Sequence, residues 1–138
     1  MSATIIDSNI IIDILDPDSQ WASWAKQKIS ESLLRGKLVF NVVIAAEVAH
    51  AFLQADRYNS VFVSAIWKFE DIPFDAALAA GWAHRDYRAR GGKREQTLPD
   101  FLIGAHASIS KHAVLTRDPK RYRSYFPDIS IIALDTHP

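Results

Sequence analysis

Four acidic residues stand at four separate junctions of the chain: Asp7, Glu47, Asp100 and Asp118. Asp7 ends an apolar run, Ala3 to Ile6, and Glu47 lies inside an apolar helical run. Asp100 opens a third apolar segment, and Asp118 follows a fourth, Ala113 to Thr116. Where strands and helices alternate, the turns at the carboxyl ends of parallel strands gather on one edge of the sheet. Four carboxylates meeting there form an oxygen-only cage for hard divalent cations such as Mg²⁺ or Mn²⁺. Crowded carboxylates raise one another's pKa and persist as a set where a cation neutralises them. Such a cage suits metal-dependent attack on a phosphodiester. Zinc would favour cysteine or histidine. The chain has no cysteine, and its five histidines (His50, His84, His106, His112, His137) show no ligand-type spacing.

Each acid also has a plainer reading. Asp7 can serve as a helix N-cap. Asp100 can be a first-turn acid favoured by the helix dipole. Asp118 precedes Pro119, which pushes it out of the helical region and toward a capping position. Glu47 differs, because its helix-face neighbours are Val43, Ile44, His50 and Ala51, of which only His50 is polar. A lone buried carboxylate is costly unless paired or bound to metal; His50 and Arg57 are the nearby structural partners.

The elements that must position these residues follow from hydrophobic period and punctuation. Residues 3 to 6 read as a buried strand, with Ser8 or Asn9 capping a helix through Leu15. After a turn at Asp16 to Ser19, a helix from Trp21 to Leu34 carries a stripe of Trp21, Trp24, Ala25, Lys28, Ile29 and Ser32, and Gly36 ends it. Lys37 to Phe40 is a second strand, and Asn41 caps a helix over Val42 to Gln54. Tyr58 to Trp67 reads as helix, and Phe69 to Phe74 as a short strand or extended link limited by Pro73. Asp75 caps a helix to about Arg90, broken by Gly91 and Gly92. Thr97 to Asp100 resembles a capping box for a helix reaching His112. A strand at residues 113 to 116, a helical turn through Tyr125 and a strand from Ile129 to Leu134 complete the order. This alternation predicts a three-layer α/β/α sandwich around a mostly parallel five-stranded sheet.

The chain has 138 residues, the length of one domain, and an apolar share of 49%, ordinary for a globular protein. No stretch approaches the roughly 18 apolar residues of a membrane span, and the N-terminus has no basic, apolar leader, so a cytoplasmic protein is expected. Sixteen basic and sixteen acidic residues cancel. Their placement is uneven: residues 1–75 hold ten acids against six bases, and residues 76–138 the reverse. Arg85, Arg88, Arg90, Lys93 and Arg94 form one basic cluster, and Arg117, Lys120, Arg121 and Arg123 another. A basic rim beside an acidic pocket suits a polyanion, although solvated faces would show the same pattern.

Three segments carry a resemblance. Ile5-Ile6-Asp7-Ser8-Asn9-Ile10 resembles the opening of PIN domains. Thr97-Leu98-Pro99-Asp100-Phe101-Leu102-Ile103-Gly104-Ala105 is similar to that family's third-acid helix. Leu115-Thr116-Arg117-Asp118, with Tyr122 close behind, is similar to its fourth-acid turn. Arg88 to Gly92 sits where the family has a basic, glycine-ended helix. The nearest likeness is the VapC branch, the toxins of toxin–antitoxin pairs. The resemblance implies a Mg²⁺- or Mn²⁺-dependent endoribonuclease, using one or two ions, with Asp7, Glu47, Asp100 and Asp118 as its metal-binding acids. Ser8, Asn9 and Thr116 match polar residues that orient the site. His106 departs from the pattern, standing where many relatives carry a small or hydroxyl residue.

The resemblance also implies partners: an RNA, such as a tRNA or rRNA, a VapB-like antitoxin, and a second copy of the chain. Arg90, Lys93, Arg94, Arg117 and Lys120 are candidate phosphate contacts. Trp21 and Trp24, if exposed, would anchor an antitoxin tail. Two rivals stand beside this reading. A phosphoryl-transfer domain of phosphatase type wants a second aspartate two residues after the first, where this chain has Asn9, and a receiver-like one wants a late lysine that fits poorly. A non-catalytic interaction module would use the acids only as caps.

Overall fold

The computed structural model describes residues 3–51, 62, 65–93 and 95–138. Five strands form one sheet: β1 (Thr4–Ile6), β2 (Leu38–Phe40), β3 (Trp67–Phe69), β4 (Ala113–Leu115) and β5 (Ile131–Ile132). Their order is β3-β2-β1-β4-β5, and every pairing is parallel. Six helices lie among the described residues: α1 (Ser8–Leu15), α2 (Ala22–Arg35), α3 (Val42–Ala49), α4 (Phe74–Ala89), α5 (Leu98–Ser110) and α6 (Lys120–Arg123). A parallel sheet with crossover helices is covered on both faces, so its strands are short apolar runs without alternation. β1 and β2 are buried at every position. The result is the α/β/α sandwich expected from the sequence, its sheet entirely parallel. No helix among the described residues is long and apolar enough to cross a membrane.

Local chemistry sets the helix starts. Asp7, rather than Ser8 or Asn9, is the N-cap of α1. Asn41 caps α3 as expected, accepting from the Val43 and Ile44 N–H groups at 3.0 Å each. Thr97 and Asp100 form the expected capping box on α5. α4 starts at Phe74 with Pro73 as its N-cap, so Asp75 lies in the first turn and Ala76 inside the helix. The third strand lies earlier than its sequence suggests. Trp67 belongs to β3, because the strand registers on β2 so that Phe40 stacks among Phe62, Trp67 and Phe69. The ladder ends at Glu70, whose N–H donates to the Phe40 carbonyl at 2.9 Å. The rest of the helix read at Tyr58 to Trp67, apart from Phe62, Ala65 and Ile66, lies outside the described residues, as do positions 52–54 of the helix after Asn41.

Gly104 allows a close approach between α5 and the segment after α6. A Cβ there would meet the Phe126 ring at 2.5 Å and Tyr122 at 3.2 Å. Only a glycine lets α5 lie directly against the segment carrying Tyr122, a residue that reaches Asp7.

Candidate metal centre

β1 is the central strand, and Asp7 follows its last residue. Its side chain is wholly buried and meets donors from Ser8, Thr116 and Tyr122. Oδ1 accepts from the Ser8 N–H at 2.7 Å and lies 3.3 Å from Ser8 Oγ. Oδ2 accepts from Thr116 Oγ1 at 2.8 Å and from the Tyr122 hydroxyl at 2.7 Å. A carboxylate has about four lone-pair positions; three are taken here, and the fourth stays open when the single proton of the Ser8 hydroxyl turns to Glu47. Asp7 therefore both caps α1 and stands at the centre of the cluster, and its two readings from sequence are compatible.

The remaining acids reach this point through shared partners. Ser8 Oγ lies 3.1 Å from Glu47 Oε1, so one hydroxyl spans the carboxylates of Asp7 and Glu47. Thr116 Oγ1 donates to Asp7 and accepts from the Asp118 N–H at 2.9 Å. Asn9 contacts Thr116 Oγ1 at 3.4 Å and accepts from the Arg117 N–H at 3.2 Å, tying α1 to the turn after β4. Asp100 uses Oδ2 for its capping box, taking the Thr97 N–H at 2.9 Å and the Thr97 hydroxyl at 3.2 Å. Its Oδ1 is left facing Arg121 Nη1 at 3.4 Å, and Arg121 Nε lies 2.9 Å from Asp118 Oδ2. Asp100 is buried, whereas the Asp118 side chain is 43% exposed at the rim.

Burial pushes the Asp7 carboxyl above the ordinary aspartate range, against the pull of Tyr122 and Thr116. Glu47 is also raised, first by burial and then by the negative charge of Asp7, with Asp100 adding to it. Tyr122 is pushed well above its usual value by burial and by the adjacent Asp7. Burial lowers the Arg121 pKa, but Asp100, Asp7 and Asp118 outweigh it and hold the guanidinium charged. The repulsion expected of crowded carboxylates acts on Glu47, through Asp7 and Asp100. Glu47 is half-buried, and its contact is Ser8, while His50 is exposed and Arg57 lies outside the described residues.

A second group has metal-ligand composition. One ligand atom each from Glu70, His106 and His112 lies within 4.8 Å of the others. Sequence spacing did not reveal it, because the three residues come from separate segments. Its hydrogen bonds favour a different role. Asn41 presents Oδ1 to two backbone N–H groups, so its Nδ2 must face His106 Nδ1, at 3.0 Å. That nitrogen is therefore an acceptor, and the proton of neutral His106 sits on Nε2, directed at Glu70 Oε1 3.2 Å away. A metal on Nε2 would need that proton gone while Nδ1 still faces a donor. Burial lowers the His106 pKa, consistent with a neutral ring. Glu70 is raised by burial but lowered further by His112 and His106, for a net downward shift. His106 thus links Glu70 to the cap of the helix that carries Glu47, which places its departure from the family pattern in local packing.

The basic candidates lie in varied surroundings. Arg117 pairs with Asp13 at 2.5 Å and lies over the Trp21 ring, 5.7 Å from its centroid. Arg90 pairs with Asp86 at 3.2 Å. Lys93 and Lys120 are exposed, and Arg94 lies outside the described residues. Trp21 and Trp24 are half-buried, and Trp24 Nε1 donates to the His137 carbonyl at 2.8 Å. Two residues of the cluster carry no site role in the sequence reading: Arg121, counted there only in a basic cluster, and Tyr122, noted only beside the fourth-acid turn. The signal was present: Arg121 stands three residues and Tyr122 four after Asp118, spacings that place side chains on one helix face.

No curated protein matches the sequence. Solved structures do match. The VapBC2 complex of Rickettsia felis bound to promoter DNA superposes with a TM-score of 0.72 at 14% identity, over 95% of this chain and 98% of that one. The DNA-bound VapBC of Salmonella typhimurium gives 0.72 at 17% identity, over 96% and 98%. VapC20 of Mycobacterium tuberculosis, a toxin that cleaves the sarcin-ricin loop, gives 0.58 at 13% identity, over 80% and 86%. At such identities the likeness concerns the fold. The PIN domain family profile matches residues 4–127, from the start of β1 to just beyond α6, and so takes in all four acids and their hydroxyl partners. The chain belongs to the PIN domain family.

Proposed function

We propose that this protein is a divalent-metal-dependent endoribonuclease and the toxin of a VapBC-type toxin–antitoxin pair. The observation that carries the proposal is the convergence of Asp7, Glu47, Asp100 and Asp118, from four distant segments, on one set of shared hydrogen-bond partners. The donor set is all oxygen, and the raised Asp7 and Glu47 fit a site that a cation completes. Mg²⁺ or Mn²⁺ matches it better than zinc. A bound ion would polarise a phosphodiester and supply water of lowered pKa.

The chain's own residues hold the arrangement. Ser8, Thr116 and Tyr122 fix the Asp7 carboxylate, and Asn9 holds Thr116 in place. Glu47 and Asp100 line the buried side, and Asp118 stands at the open rim where a polyanion enters. The exposed lysines, Lys93 and Lys120, are the phosphate contacts best placed to act without first breaking an ion pair. With water attacking phosphorus and the 3′ oxygen leaving, the products carry a 5′-phosphate and a 3′-hydroxyl. The likeness to VapBC complexes supports an antitoxin partner, with the half-buried Trp21 and Trp24 as its candidate contacts, and a homodimer is part of the same proposal.

The test is direct. The purified protein should bind Mn²⁺ stoichiometrically by calorimetry and cut RNA to ends that ligate only as 5′-phosphates. Cyclic phosphate ends, or cleavage undiminished by EDTA, would remove the metal mechanism. Folded protein that binds no Mn²⁺ would favour the interaction-module reading.

Tyr122→Phe removes one of the donors to Asp7 and leaves the ring that packs against Gly104. The expected result is a fall in cleavage of about ten- to a hundredfold, the range for partners that orient metal ligands, with weaker Mn²⁺ binding and the fold unchanged by circular dichroism.

A further inference from the structure

We infer that Arg121 is a built-in counter-cation that holds the carboxylate cage closed until metal displaces it, and that then serves the substrate's phosphate. This rests on the metal-centre reading and adds a step to it. The Arg121 fork bridges acids from two elements, with Nη1 3.4 Å from Asp100 Oδ1 and Nε 2.9 Å from Asp118 Oδ2. The Asp100 oxygen it faces is the one left over from the capping box, and so the one available to any cation. The four acids do not present a set of ligand atoms within 4.8 Å of one another, the separation seen in the Glu70–His106–His112 group. The Arg121 guanidinium sits between two of them, Asp100 and Asp118.

The arrangement has two positions. Without metal, Arg121 neutralises part of the acidic cluster, much as a bound cation would. A divalent ion carries twice the charge in a smaller volume and competes for the same Asp100 and Asp118 oxygens. Arg121 is half-buried on α6, beside exposed Lys120, so its released head lies at the rim where substrate arrives. A planar fork that matches two carboxylate oxygens matches two phosphate oxygens equally well. One side chain thus couples metal entry to the appearance of a phosphate-binding group. A device of this kind lowers metal affinity in the resting enzyme.

Arg121→Gln separates the two roles. Mn²⁺ titrated by calorimetry into wild type and variant should show about tenfold tighter binding in the variant, since the competing cation is gone. At saturating Mn²⁺, the KM for RNA should rise about tenfold with a smaller change in kcat. Arg121→Lys, which restores a charge without the fork, should return Mn²⁺ affinity toward wild type but leave KM high. Unchanged or weaker Mn²⁺ binding by folded Arg121→Gln would overturn the inference while leaving the metal centre intact. Failure of the wild type itself to bind Mn²⁺ would remove the metal-centre reading, and this inference with it.

Discussion

Asparagine at position 7 is expected to leave a folded protein that no longer cleaves RNA, with a loss on the order of 10³–10⁴-fold. The hydrogen-bond geometry explains why the fold survives. The asparagine oxygen can take the Ser8 N–H that Asp7 Oδ1 takes now. Its amide nitrogen then faces the hydroxyls of Thr116 and Tyr122; Tyr122 can turn to accept, and Thr116 can do so by giving up its long contact with Asn9. What disappears is the negative charge at the centre of the cluster, and with it the affinity for a cation.

The same change should stabilise the metal-free protein at neutral pH. Burial raises the folded-state pKa of Asp7, so folding favours its protonated form. That stabilising contribution is full below the unfolded-state pKa and is lost as pH rises through the folded-state value. Wild type should therefore lose stability above the ordinary aspartate range, with Glu47 contributing in the same direction. Asp7→Asn should lose less. Thermal unfolding in EDTA from about pH 5 to pH 8 would show the variant's advantage growing with pH. A variant that is active, or that melts well below wild type across this range, contradicts the role given to Asp7.

Phe101→Ala should give the largest loss of stability, about 3–5 kcal/mol. Phe101 is wholly buried, and its ring meets His84 at 5.3 Å, Tyr87 at 5.6 Å, Tyr125 at 5.3 Å and Phe126 at 6.3 Å between centroids. These rings join the first turn of α5 to α4 and to the segment after α6. Truncation leaves a cavity that none of the four neighbours can fill without moving. Urea unfolding would report the loss as a lower midpoint at an unchanged slope. Because Asp100 is the adjacent residue, Mn²⁺ affinity should fall as well. A loss below about 1 kcal/mol would mean that the cluster collapses into the space.

Much of this was legible in the sequence, for identifiable reasons. Asp7, Asn41 and the Thr97–Asp100 box announce themselves because capping is local chemistry within three residues. The alternation of short apolar runs with helical segments gave the parallel sheet. Glu47 stood out because its helix-face neighbours are apolar. Other features depend on the tertiary fold. Tyr122 and Asp7 are 115 residues apart, and no local pattern tells a hydroxyl bound to a carboxylate from a core tyrosine. Arg121 was one of four bases in a short stretch, and only the fold separates it from Arg117, which pairs with Asp13 instead. Glu70, His106 and His112 meet only because the end of β3 comes close to α5. The start of β3 shifted because aromatic stacking on Phe40 outweighed the local signal at Pro73.

The long span between the partners of Asp7 has a consequence for synthesis in a cell. Thr116, Asp118, Arg121 and Tyr122 all lie 109 or more residues after Asp7, so a ribosome must make that whole stretch before the central carboxylate can acquire its full set of donors. Incomplete copies, whether nascent or truncated by a protease upstream of β4, would have the first three acids and no competent centre. With the function proposed above, the protein would be inert toward the message and the ribosome producing it until the segment through α6 has been made.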